Sequence, residues 1–238
     1  MTSLPQFITN RLLISTDYGP IHLIYEDNHL LVINKPAGIP VQADASGDQD
    51  VLTVLKQWLK ERDKKPGNVY LGLVHRLDRP VGGVMILAKT SKAASRLSDQ
   101  IRRNVVEKNY LAILQKMPDP PEGKLEHYLA KNRKTNTVFV ASKKTKSAKH
   151  ARLSYRTLKH QDQLTLVSVQ LETGRAHQIR VQFAHCGWPL WGDHKYGRSS
   201  KGNPALFSRM MSIEHPTKKE SMPFEAEIPD SYPWKVFK

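Results

Sequence analysis

The segment Val74-His75-Arg76-Leu77-Asp78-Arg79-Pro80-Val81-Gly82-Gly83 gathers two arginines, a histidine and a carboxylate, then a proline and a glycine pair. Apolar residues flank it, with Val69, Tyr70, Leu71 and Leu73 before it and Val84 to Ala88 after it. Both flanks read as buried strands. Proline and paired glycines between strands predict a sharp turn with close backbone approach. Asp78 is then a carboxylate fixed by a turn between rigid elements, a placement that suits a reactive group. The plain alternative is an exposed turn in which Asp78 pairs with Arg76 or Arg79. The apolar flanks and a second charged stretch weigh against it.

That second stretch is Glu172-Thr173-Gly174-Arg175-Ala176-His177-Gln178-Ile179-Arg180-Val181-Gln182-Phe183-Ala184-His185-Cys186-Gly187. Ala176, Ile179 and Phe183 recur at helical spacing, and Gly187 reads as the stop. If Arg175 and Arg180 are both helical, they diverge by roughly 140° in projection and do not grip one anion together. One is expected to face the sheet and a buried anion, the other solvent and a polyanion. An arginine between Ile179 and Val181 on a packed helix needs an anionic partner, and Asp78 is the candidate.

The elements that must position these groups can be read in order. Ile21–Tyr25 and Leu30–Asn34 predict a hairpin, followed by a Pro- and Gly-fixed loop, Asn34 to Gln42, that supports the Asp78 turn. Asp50 is a plausible N-cap for a helix carrying Val51, Leu52, Leu55, Trp58 and Leu59 through about Arg62, and Ser91 opens a second helix. Residues 107–114 read as a strand bearing Tyr110, and the breaker Met117 to Gly123 marks a candidate subdomain boundary. Short strands follow at 125–129, 137–141, 151–156 and 167–171. Lys131, Arg133, Lys134, Lys143, Lys144, Lys146 and Lys149 fill the links, as on a protruding hairpin whose arms track phosphates. Trp188 to Gly197 is expected to pack under the helix. Strands at 205–213 and 224–228 close the chain.

Thirty-seven Lys and Arg against 22 Asp and Glu give a formal charge of +15. A polyanion, nucleic acid first, is the expected partner. Hydrophobic residues are 39% of the chain and no apolar run is long enough to span a bilayer. No secretory signal opens the chain, and the single cysteine, Cys186, fits a reducing, cytoplasmic setting. Residues 1–20 read as an N-terminal extension and 21–238 as one catalytic domain, expected to act as a monomer. The spacings of His177, His185 and His194 match no zinc pattern, so no metal is expected. A P-loop, a nucleophile elbow and the kinase loop set are also missing from the sequence.

Three ordered stretches together resemble the RluA-type RNA pseudouridine synthases. They are Asn34-Lys35-Pro36-Ala37-Gly38, then His75-Arg76-Leu77-Asp78-Arg79, then Thr173 to Val181 continued by Gly192-Asp193. The resemblance implies an α/β (α+β) fold, a long mixed, mostly antiparallel sheet flanked by helices with a central active cleft. It makes Asp78 the essential carboxylate. Tyr110 becomes the residue that stacks on the target base, and Arg180 the arginine paired with the aspartate. Arg76 would enter the RNA stack when the uridine flips out. His75, Arg79, Arg175, His177 and Gln178 would meet the RNA, with Lys143, Lys144 and Lys146 on a clamping loop. The implied substrate is tRNA or rRNA, without a cofactor.

The implied reaction breaks N1–C1′, turns the base and joins C5 to C1′, with the base out of the stack. A carboxylate would attack C1′ or remove the 2′ proton. Many members carry Thr-Ser-Gly where this chain has Val81-Gly82-Gly83, and there is no room for the RNA-binding S4 domain of some relatives. The rival reading is a non-catalytic RNA-binding or RNA-folding protein of the same fold.

Overall fold

Two apolar runs form paired inner strands. Leu30-Leu31-Val32-Ile33 and Val84-Met85-Ile86-Leu87-Ala88 are continuous rather than alternating, which is the pattern of strands covered on both faces. The computed structural model describes residues 11–197 and 202–238. It divides the chain into two compact units, one holding the chain up to Val106 with Ser208–Glu227, the other Glu107–Phe207 with Ile228–Lys238.

In the first unit the strands are β1 (Arg11–Thr16), β2 (Gly19–Glu26), β3 (Leu30–Lys35), β4 (Gly72–Leu73) and β5 (Gly82–Ala88), with helices α1 (Val51–Arg62) and α2 (Ser91–Arg102). β1, β2, β3 and β5 pair antiparallel in that order. The β2–β3 turn is closed by Asp27, whose Oδ1 accepts from the N–H of His29 at 2.7 Å and of Leu30 at 2.8 Å. Helix α1 starts where expected, with the Asp50 carboxylate accepting from Thr53 N–H at 3.0 Å. Val51, Val54, Leu55 and Leu59 form its buried stripe.

Two elements differ from the sequence reading. Residues 11–16, read within an extension, pair with β2 from Arg11↔Leu23 to Thr16↔Gly19; residues 1–10 of that extension lie outside the described residues. An irregularity between Leu12 and Ile14 breaks the alternation that would have announced the strand. Of the strand expected before the Asp78 turn, only Gly72 and Leu73 pair, opposite Ala88 and Leu87.

The second unit contains β6 (Glu107–Leu114), β7 (Glu122–Asn132), β8 (Thr137–Ala141), β9 (Lys149–Gln161), β10 (Leu164–Leu171) and helix α3 (Gln178–His185). Its strands run in the order β6-β10-β9-β7-β8, every neighbouring pair antiparallel. Along β9, Ala151, Leu153 and Tyr155 are buried while Arg152 and Arg156 are exposed, the alternation of a sheet covered on one face. Helix α3 covers it: Val181 packs with Leu129, Val138 and Ala151, and Phe183 stacks edge-on against Tyr155. The breaker around Met117 to Gly123 is a connection from β6 to β7 inside this unit. The boundary falls at Val106 and Glu107 instead.

Strands β11 (Leu206–Glu214) and β12 (Ser221–Glu225) pair antiparallel and return the chain to the first unit. Gly83 has φ +115, and a Cβ there would lie 2.2 Å from Ser208 O, so no side chain fits between β5 and β11. None of the described helices is long and apolar enough to cross a membrane.

Candidate active site

In the first unit the Asp78 turn is organised by a buried lysine. Lys35, the last residue of β3, is 0% exposed. Its Nζ donates to Pro36 O at 2.9 Å, Arg79 O at 3.2 Å and Val81 O at 3.0 Å. Three carbonyls match the three N–H donors of an ammonium. Two of them belong to the turn, which is closed on itself by Val81 N–H donating to Asp78 O at 2.9 Å. Burial pushes the Lys35 pKa down to about 7, opposed by the nearby Asp78 charge and aided by Arg79. Asn34-Lys35-Pro36-Ala37-Gly38 therefore supports the Asp78 turn as expected, through a group the sequence did not single out.

Replacing this hub should be costly. Lys35→Met strands three carbonyls, at about 1–3 kcal/mol each, and the relief of a buried charge offsets part of that. We expect a net loss of about 2–4 kcal/mol, read as a fall in melting temperature of roughly 5–15 °C. Unchanged melting would remove Lys35 as the hub.

Arg79 completes the brace. Its Nε donates to Gly38 O at 2.9 Å and Nη1 to Ser46 Oγ at 3.2 Å, while Nη2 meets Tyr18 Oη at 3.3 Å and pairs with Asp48 at 2.5 Å. Arg79, expected at the RNA, thus spends its guanidinium on the loops around the turn. His75 accepts Ile86 N–H at Nε2, 3.0 Å, which ties it to β5. Arg76 is exposed, and its side chain makes no hydrogen bond among the described residues.

In the second unit Tyr110 lies on β6, opposite Val169 of β10, which is opposite Tyr155 of β9. Residues directly opposite share a face, so Tyr110 is on the face that α3 covers. That helix begins at Gln178, two residues later than the periodicity suggested. His177, with φ 52, caps it in the left-handed region. Arg175 therefore sits in the turn before the helix, and the projected angle between two helical arginines does not apply.

Gln178 shapes that turn. Its Oε1 accepts from Thr173 Oγ1 at 2.8 Å and Arg175 N–H at 3.0 Å, and its Nε2 donates to Arg152 O at 3.0 Å. Gln178, expected at the RNA, is thus a buried brace with its amide turned inward. Arg175 is exposed, with Nε donating to His150 O at 2.8 Å.

Arg180 is 3% exposed and needs an anion, and within this unit the anion is Asp193, itself 1% exposed. Arg180 Nε donates to Asp193 Oδ2 at 2.7 Å and Nη2 to Oδ1 at 2.8 Å, the planar two-point geometry that favours arginine. Asp193 is oriented by the N–H groups of Lys195 at 3.1 Å and Tyr196 at 3.2 Å. The Tyr196 ring lies under the guanidinium, 5.1 Å away. Its hydroxyl accepts from Val138 N–H at 2.9 Å and hydrogen-bonds His177 Nδ1. Gly192-Asp193 thus holds Arg180 in one pose. The signal in the sequence was an acid inside an aromatic, glycine-rich turn, one helix after a buried arginine.

Lys143, Lys144 and Lys146 are exposed in the β8–β9 loop. Lys143 Nζ lies 6.0 Å from the Tyr128 ring.

Comparisons with known proteins place the chain in a family. A family model described as RNA pseudouridylate synthase matches residues 29–185. An RNA pseudouridine synthase of Aquifex aeolicus is 32% identical, covering 90% of this chain and 71% of that protein. Ribosomal large subunit pseudouridine synthase D of Zymomonas mobilis is 32% identical over 88% of this chain and 70% of the relative. The Pseudomonas aeruginosa protein of that name is 34% identical over 90% and 70%. Among solved structures, human RNA pseudouridylate synthase domain containing 4 superposes with a TM-score of 0.73 at 24% identity, over 87% of this chain and 88% of that one. Domain containing 1 gives 0.71 at 22%, over 88% and 84%; these two show a shared fold. The chain belongs to the RNA pseudouridine synthase family, whose members are isomerases.

Proposed function

We propose that this protein isomerises uridine to pseudouridine in structured ribosomal RNA, with Asp78 as the essential carboxylate. The observation that carries the assignment of Asp78 is its turn: a carboxylate whose backbone is locked by the buried Lys35 ammonium. Ribosomal RNA is chosen over tRNA because the named relatives act, by their names, on the large ribosomal subunit.

The chemistry divides among a few groups. The target base must leave its stack. Exposed Arg76 fills the gap it leaves, Tyr110 stacks on the base, and the ionised carboxylate acts at C1′ or on the 2′ proton. Arg180, held in one pose by Asp193, is the arginine that turnover requires. Lys143, Lys144 and Lys146 track phosphates. The protein acts as a cytoplasmic monomer without a cofactor.

The test is pseudouridine mapping across total RNA from cells with the gene, without it, and with it restored. One or a few sites should vanish on deletion and return on restoration, naming the uridine. With no site lost, purified protein on unmodified ribosomal RNA transcripts decides; absence of product there sinks the reading.

A further inference from the structure

Lys108 is badly placed for a solvated charge. It is 7% exposed on β6, and its Nζ has neither a hydrogen-bond acceptor nor an anionic partner among the described residues. The charge that acts on it is another cation, Arg175, which together with burial lowers the Lys108 pKa. A Cβ built on Gly174 would lie 3.8 Å from Nζ, so the ammonium rests against the turn that carries Arg175. Arg175 is tethered through Nε to His150 O. Its two terminal nitrogens make no hydrogen bond among the described residues.

An uncompensated buried ammonium is expensive, and a second cation beside it raises the cost. A fold keeps such a pair when something negative arrives between them. The position suggests what arrives. Lys108 and Tyr110 are two residues apart on one strand, so their side chains leave the same face about 6.5–7 Å apart. That is the scale of the step from a base to a phosphate of its own strand.

We propose that Lys108 and Arg175 form a phosphodiester-binding site for the RNA strand beside the base held at Tyr110. The site rests on the reading of Tyr110 as the stacking residue and of RNA as the substrate. One non-bridging oxygen takes the Lys108 ammonium and the other the free edge of the Arg175 guanidinium. The contact differs in kind from those of Lys143, Lys144 and Lys146. Those lysines are solvated and track any backbone, whereas Lys108 is reached only by a phosphate pressed into the turn. The site therefore favours a strand drawn out of its duplex over a regular helix.

The test uses the full chain and a labelled oligouridine of about 12 nucleotides. Affinity is measured across a salt series for the wild type, Lys108→Met and Arg175→Met, and each protein is melted without RNA. Lys108→Met should lower the slope of log affinity against log salt by about 0.7, one phosphate on a single strand. It should also weaken binding about five- to tenfold at low salt. Free of its unpaired charge, the same variant should melt at or above the wild type, by up to roughly 2–4 °C. Arg175→Met should show a similar loss of slope.

An unchanged slope for Lys108→Met overturns the site. A slope that falls together with the melting temperature also overturns it, because the loss is then one of fold. Neither readout needs turnover. Failure to form pseudouridine would therefore sink the proposed function and leave this result standing, and an active enzyme with an unchanged slope would do the reverse.

Discussion

Asp78→Asn protein should bind RNA with wild-type affinity and salt dependence and lose pseudouridine formation by about 10⁴-fold. The substitution leaves the backbone bonds of the turn in place, while removing the charge that helps keep Lys35 an ammonium. Val81 N–H closes on the Asp78 carbonyl, and Lys35 donates to the carbonyls of Arg79 and Val81. All of these are backbone acceptors, and Asn keeps them. An amide can neither attack C1′ nor take the 2′ proton, so both courses open to the carboxylate fail together. RNA carrying tritium at C5 of uridine gives the readout, since isomerisation exchanges that hydrogen for C1′. Release at the wild-type rate would remove Asp78 from the chemistry. Release at an intermediate rate would make it a positioning group.

Most of the architecture could be read from pattern. The bounds of β6 and β8 and the cap at Asp50 follow from alternation and from residue type. Where pattern failed, the cause was a side chain replacing a backbone rule. Helix α3 starts late because Gln178 turns its amide back onto Thr173, Arg175 and Arg152, and because His177 adopts a left-handed cap. Periodicity reports only which face is apolar and is blind to both.

The site was legible by need more than by identity. A buried Arg180 demanded an anion. Asp193, thirteen residues on, supplies a bidentate pair, and no spacing rule reaches across the turn between them. Lys35 looked like the polar end of a strand and Lys108 like a charge at a strand entry. Only burial and partners show that one is saturated and the other unmatched. The unit boundary at Val106 also left no trace in composition, because the strongest breaker, around Pro118 to Pro121, lies within one sheet.

The Arg180–Asp193 pair carries the second large effect, and it separates stability from turnover. Asp193→Asn keeps the size of the side chain but removes the charge that the bidentate pair sets against the Arg180 guanidinium, a loss of about 3–5 kcal/mol for breaking a buried pair from one side. Melting should fall by roughly 6–20 °C. Arg180→Met leaves a carboxylate that still accepts the N–H groups of Lys195 and Tyr196, so its melting should fall less. Its turnover should be abolished with RNA affinity nearly intact. The double variant removes both charges and should melt above Asp193→Asn alone, since an apolar replacement of a buried pair is often neutral. It should still form no pseudouridine. Regained stability without regained turnover would assign the pair to catalysis by way of Arg180. If Arg180→Met turned over at the wild-type rate, the bidentate pair would be a structural staple, and Lys35, whose charge interacts with that of Asp78, would be the cation left to serve the carboxylate.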